Sequence, residues 1–313
     1  MNETPARPSA LRAIGNTPLI RLSSVVPAGA AHVFLKLEYY NPTGSYKDRM
    51  ALSVIEGAER RGALIPGMRV VEYTGGSTGC ALAMVCAVKG YRFTPVSSDA
   101  FAREKLESMR ALGADLILVR SEGGRITPEL FDRMKAELAR ETCQPGVFWA
   151  DQFNNADVLT GYMAMADELL RELPGGITVF CGAVGSGGML VGVSRALKAA
   201  CSPARIVALE PAESPFISTG RGGAHRVEGV GVGFLPPHLQ PGDIDEIRAV
   251  PEATARDMAK GLAREEGVLA GTSTGLNVAA AIQLAKELGP DANVVTVACD
   301  SGLKYLAGDL YTA

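Results

Sequence analysis

Residues Ile177 to Glu210 read ITVFCGAVGSGGMLVGVSRALKAACSPARIVALE. A β-branched apolar run ends at Cys181, a glycine-rich turn covers 182–188, apolar residues then recur at helical spacing to 199, and a second apolar run closes on Glu210. Strand, turn, helix and strand in that order are the unit of a parallel sheet with helices on its faces. The same alternation extends in both directions. Strands are predicted at 33–37, 69–73, 92–96, 115–119, 177–181, 205–209 and 293–298. Helices are predicted near 47–61, 78–89, 102–112, 128–141, 157–172, 188–199, 252–267 and 275–288. The segment from Pro211 to Pro251 is rich in Gly and Pro and is expected to be an irregular functional loop.

Composition narrows the function classes. The chain has 313 residues, with 34 acidic and 31 basic side chains and a formal charge of −3. That balance argues against a polybasic nucleic-acid or membrane-surface protein. The length favours two domains sharing a cleft. Leu173–Ser194 is uncharged but holds a proline and seven glycines, which excludes a membrane helix there. Six dispersed cysteines without a C-x-x-C pair point to reduced thiols in a cytoplasmic protein, and the amino terminus lacks the layout of a signal peptide.

Glycine is the compositional deviation, at 36 residues against a background of about 7%. Three glycine-rich turns each follow apolar sequence and open a helix: Thr74-Gly75-Gly76-Ser77-Thr78-Gly79, the turn 182–188, and Gly271-Thr272-Ser273-Thr274-Gly275. Unpaired N–H groups at a helix start face the positive end of its dipole, so such turns close on anions. Three of them suit a ligand set with more than one anionic group, such as a phosphate and a carboxylate.

Two other readings compete. Gly271–Gly275 is a literal G-x-S-x-G, but a hydrolase elbow needs a later histidine, and His32, His225 and His238 all precede it. The 177–210 unit resembles a dinucleotide site, except that Leu190 stands where the third glycine belongs. A nicotinamide-dependent oxidoreductase is therefore the alternative from another class. The scattered histidines give no metal-ligand spacing.

Lys47 lies in Asn41-Pro42-Thr43-Gly44-Ser45-Tyr46-Lys47-Asp48-Arg49-Met50, where a turn becomes a helix. A cation is disfavoured at a helix start; on a surface, pairing with Asp48 would be the ordinary outcome. A destabilised ammonium is also what a Schiff-base lysine requires.

Ile14–Leu22, Lys36-Leu37-Glu38 and Asn41–Arg49 resemble the cysteine synthase (O-acetylserine sulfhydrylase) family of pyridoxal-phosphate enzymes, which also contains the cystathionine β-synthases. So do Gln152-Phe153, Gly185–Gly188, Glu210–Pro215, Gly229–Phe234, Glu265-Glu266-Gly267 and Gly271–Gly275. The resemblance implies the two-domain α/β architecture of fold type II (tryptophan synthase β-like), with mostly parallel sheets flanked by helices. It implies a smaller mobile domain at 41–149 and a larger cofactor-binding domain from 1–40 plus 150–313. Lys47 would carry pyridoxal 5'-phosphate and move the α-proton. Gly185, Ser186, Gly187, Gly188 and Met189 would form the phosphate loop, Ser273 would face the pyridine nitrogen, and Ser77 would lie beside the cofactor ring. Thr74, Gly75, Gly76, Ser77, Thr78 and Gln152 would hold the substrate carboxylate.

The implied reaction is β-replacement on O-acetylserine or O-phosphoserine by sulfide or another thiol, in a homodimer. The alternatives within the class are a cystathionine β-synthase-like or a serine/threonine dehydratase-like enzyme. The sequence departs from the family pattern at Gly75 (usually serine), Ser77 (usually asparagine) and Met189 (usually threonine). Arg221 and Arg226 are candidates to meet a phosphate leaving group, and no regulatory module is expected after Tyr305-Leu306. If Lys47 carries the cofactor, borohydride reduction and peptide mass mapping will find the pyridoxyl adduct there. An adduct on another lysine would refute the assignment.

Overall fold

The computed structural model describes residues 9–124 and 127–312, so the first eight residues of the amino terminus considered above lie outside it. In chain order the elements are β1 (Leu19–Arg21), β2 (His32–Leu37), α1 (Lys47–Arg60), β3 (Arg69–Tyr73), α2 (Ser77–Lys89), β4 (Arg92–Ser98), α3 (Arg103–Ala111) and β5 (Ile117–Val119). There follow α4 (Pro128–Thr142), β6 (Val147–Trp149), α5 (Asp157–Glu172), β7 (Val179–Ala183), α6 (Gly188–Ala199), β8 (Arg205–Pro211), α7 (Phe216–Thr219), β9 (Glu246–Val250), α8 (Glu252–Gly261), α9 (Thr272–Leu288) and β10 (Asn293–Ala298).

Among the described residues, ten strands form two sheets. The six-stranded sheet runs β1-β2-β10-β7-β8-β9 and the four-stranded sheet β5-β4-β3-β6. Every pairing is parallel except β1 with β2. The central β10 pairs His32↔Asn293 through Leu37↔Ala298, and its residues from Val294 onward are buried. A parallel strand covered on both faces has to read this way.

Each predicted strand and helix is present, with shifts at the ends. The long segment 211–251 is less irregular than expected, because it contains α7 and β9. β1, β6 and β9 were not anticipated; two have only three residues and the third, EIRAV, carries two charges. The helix expected at 252–267 stops at Gly261 and continues as one wider π turn, Leu262–Glu266.

The main apolar core lies between the sheets, where α1, α5 and α6 meet. Tyr46, Met50, Val54, Tyr162, Met165, Leu190 and Val193 belong to it. Gly161 allows α1 and α5 to touch: a Cβ there would come within 2.5 Å of the Arg49 carbonyl oxygen.

A buried charge cluster sits at the start of α1. Arg49 donates to Glu38 through Nε and Nη2, each at 2.7 Å, and to Glu168 through Nη1 at 2.7 Å and Nη2 at 2.8 Å. Lys36 adds ion pairs to Glu168 at 3.0 Å and Glu172 at 2.8 Å. Thr17 Oγ1 donates to Glu38, and the Asn16 N–H to Glu168. Burial disfavours the Glu168 carboxylate, but Arg49 outweighs it and holds the pKa at about 2. Removing one partner of a buried pair costs about 3–5 kcal/mol. Arg49→Met is therefore expected to lose stability of that order in urea titration. Arg49→Lys should restore only part of it, since an ammonium cannot make both bidentate contacts.

Candidate active site

Lys47 opens α1 and is 9% exposed. Its approach is fixed by backbone pairing: Ser45 bridges Asp300, the Tyr46 N–H donates to the Cys299 carbonyl at 3.1 Å, and the Ser301 N–H donates to Gly44. The ammonium donates to Tyr46 Oη at 3.0 Å and forms no ion pair among the described residues. Burial lowers its pKa to about 8, with Cys299 and Asp300 opposing the shift. Asp48 is not its partner. That carboxylate accepts from the Thr43 N–H and hydroxyl, closing the turn before the helix.

The turn after β7 is an amide cradle. The N–H groups of residues 185–190 donate to no acceptor among the described residues, so they are free for an anion. Gly185 packs so tightly on the segment after α7 that a Cβ would fall 2.2 Å from the Gly229 carbonyl oxygen. Met189 contributes only its backbone, because its side chain turns into the core beneath Gly182. A phosphate therefore fits this turn, and with the unpaired amine of Lys47 the donor set suits a phosphorylated aldehyde cofactor.

The turn after β3 offers a second set of amides. Gly76 N–H is taken by Thr74 Oγ1 at 3.1 Å, whereas those of Gly75, Ser77, Thr78 and Gly79 have no described acceptor. Thr78 Oγ1 donates to Gln152 Oε1 at 2.8 Å, and Gln152 Nε2 donates to the Tyr73 carbonyl at 3.3 Å. Beneath them, the buried Glu72 accepts the Gln152 N–H; burial raises its pKa to about 8 against those hydrogen bonds.

The third turn becomes the first turn of α9. Ser273 is buried and lies beside the Cys299 thiol, whose pKa burial pushes to about 12. Asn277 Nδ2 also reaches that sulfur, at 3.3 Å. The thiol lies near Lys47, so the third turn and the amine share one neighbour.

Several residues of this region escaped the sequence reading. Asp300 Oδ2 accepts from Tyr305 Oη at 2.7 Å and Ser77 Oγ at 3.3 Å, while Oδ1 is buried without a partner among the described residues. A carboxylate directly beyond the carboxyl end of a parallel strand was a usable signal, since ligands gather there in α/β folds. Lys105, Glu228 and Glu72 gave none of comparable strength. Arg226 is tied to Glu252 and Asp309, which takes it away from any leaving group. A cavity of about 790 Å³ lies at the opposite end of the four-stranded sheet, lined by Arg69, Arg92 and Arg110. It does not include Lys47, so chemistry and not cavity size defines the site.

Two mostly parallel sheets, a buried amine at one helix start and free amides at others define an α/β architecture suited to an anionic cofactor. The chain belongs to the pyridoxal-phosphate dependent enzyme family, whose model matches residues 10–300. It is 42% identical to a cysteine synthase of Staphylococcus aureus over 301 residues, 96% of this chain and 95% of that protein. Among solved structures, O-ureido-L-serine synthase matches with a TM-score of 0.87 and 37% identity, covering 97% of this chain and 94% of the other. The O-acetylserine dependent cystathionine β-synthase of Helicobacter pylori matches with a TM-score of 0.88 and 30% identity, covering all of both chains. The fold is that of fold type II enzymes, and the cofactor is pyridoxal phosphate. These matches overturn the nicotinamide alternative, and Leu190 is a core residue.

Because Lys47 has a pKa of about 8, its free amine fraction rises as pH increases through that value. The rate at which cofactor-free protein recombines with pyridoxal phosphate should rise with a midpoint near 8, followed by recovery of visible absorbance. A midpoint at the ordinary lysine value would contradict this environment.

Proposed function

We propose that this chain catalyses β-replacement on an activated L-serine, O-acetylserine or O-phosphoserine, with sulfide or another thiol, giving L-cysteine or a related amino acid. The observation that carries the reading is the Lys47 amine, buried without an ion pair beside amide-rich turns of complementary chemistry. The similarity to a cysteine synthase over nearly the whole chain supports it. When bound, pyridoxal phosphate supplies the electron sink that makes the α-proton of an amino acid removable.

In this reading, the chain's own groups do the following. Lys47 holds the cofactor and, once its amine is released, takes the α-proton; a pKa of about 8 suits it to both tasks near neutral pH. The free amides of Gly75 and Ser77 to Gly79, with Thr78 and Gln152, receive the substrate carboxylate. Residues 185–189 receive the cofactor phosphate, and Ser77 and Ser273 orient the ring through neutral hydroxyls. Closing the four-stranded sheet over the carboxylate excludes water.

We further propose that 41–149 form the smaller, mobile unit and 1–40 with 150–313 the larger; the whole four-stranded sheet, β3 to β6, falls inside the first range, which supports that division. A homodimer is proposed from the resemblance alone. Six free cysteines support a reducing, cytoplasmic setting.

Titration of the holoenzyme with O-acetylserine, O-phosphoserine and serine, followed by visible absorption, tests the reaction class and identifies the donor. No spectral response to any of the three would refute the reading. A neutral hydroxyl at Ser273 further predicts that Ser273→Ala retains substantial β-replacement activity. Ser273→Asp should lose much of it and shift the cofactor spectrum, because a carboxylate there stabilises a protonated ring nitrogen.

A further inference from the structure

Lys105 lies in the first turn of α3, where the helix dipole disfavours a cation, yet its side chain is only 4% exposed. Its stem crosses Gly76, where a Cβ would fall 2.3 Å from Lys105 Cδ. Nζ donates to Glu228 Oε2 at 2.5 Å and Tyr305 Oη at 3.1 Å, with Asp300 Oδ2 3.9 Å away.

Between them these contacts reach all three glycine turns. Tyr305 Oη donates to Asp300, which also accepts from Ser77 in the turn after β3. The Glu228 N–H donates to Thr272 Oγ1 at 3.4 Å, at the start of α9. The next residue, Gly229, presents its carbonyl to Gly185 in the turn after β7. The ammonium is thus the common point of three segments from distant parts of the chain.

We propose that Lys105 is a positioning residue: by holding Glu228, it keeps the carboxylate turn, the phosphate turn and the start of α9 in one arrangement. The inference rests on the β-replacement reading only for the substrate half of its test. Without the ammonium, the Glu228 and Asp300 carboxylates face each other with their shared cation gone, and like charges at short range repel. The Glu228 side chain is 29% exposed, so it has a route into solvent. Moving outward, it draws Gly229 away from Gly185 while the turn at Gly76 loses the stem across it. Both ligand sites loosen; Lys47 and its own contacts stay as they were.

The test uses cofactor-loaded Lys105→Met, Lys105→Arg, Glu228→Gln and the Lys105→Met/Glu228→Gln double variant. In Lys105→Met, the donor KM should rise about tenfold or more while kcat stays within about threefold, and cofactor release into a trap should accelerate by a comparable factor. Lys105→Arg should recover most of both effects. In the Glu228→Gln background, Lys105→Met should add little, because the two residues act as one unit. A merely structural role would lower the melting temperature without the KM-against-kcat split or the coupling. Unchanged KM and release in Lys105→Met, or effects of the two substitutions that simply multiply, would overturn the proposal. Should Lys105→Met fail to fold, Glu228→Gln must show the same split or the proposal fails. If the wild type uses none of the three donors, the β-replacement reading fails alone, and cofactor release and its coupling still decide the role of Lys105.

Discussion

The site depends on the guanidinium of Arg49 being shared by Glu38 and Glu168. Three charges removed from water are tolerable only when each is multiply hydrogen-bonded, and the bidentate geometry on both sides supplies those bonds. The consequence is positional. Glu38 follows β2, Glu168 belongs to α5 and Arg49 stands two residues beyond Lys47, so the cluster sets where α1 begins relative to the six-stranded sheet. A shift at Arg49 would move the Lys47 amine.

Helix starts supply the rest of the chemistry. The same dipole that attracts a phosphate and a carboxylate also opposes a lysine, and the two lysines at such positions meet opposite fates. Lys47 has a tyrosine hydroxyl and no carboxylate in ion-pair contact, and burial takes its pKa down to about 8. For Lys105, burial acts in the same direction, but Glu228 and Asp300 outweigh it and the pKa stands above the ordinary value. One lysine is available as a base near neutral pH; the other is a permanent cation. Partner choice decides the difference, since both side chains are buried.

Departures from the family's usual residues become intelligible once packing is known. Met189 lacks the hydroxyl that the resemblance implies there, but its side chain fills core beneath Gly182, leaving the backbone N–H at the turn. At Gly75, a Cβ would meet the Phe101 ring at 2.8 Å, so a larger residue would have to displace that ring. Ser77 is short, and Asp300 reaches it across the cleft. These substitutions redistribute contacts around the site while leaving its backbone amides free.

The sequence by itself determined the alternating strands and helices, the three amide-bearing turns and the singular position of Lys47. Those features are local: apolar periodicity, glycine punctuation and a helix start are written within a dozen residues. β1 and β6, of three residues each, are too short to display a period, and only their neighbours make them strands; β5 is as short but lies within the longer predicted run 115–119. The partners of the buried charges are less local still. Lys105 meets Glu228 across 123 residues, and Ser77 meets Asp300 across 223. Only the tertiary structure decided those pairings, because an ion pair's strength depends on distance and desolvation in space, and neither quantity is encoded in spacing along the chain.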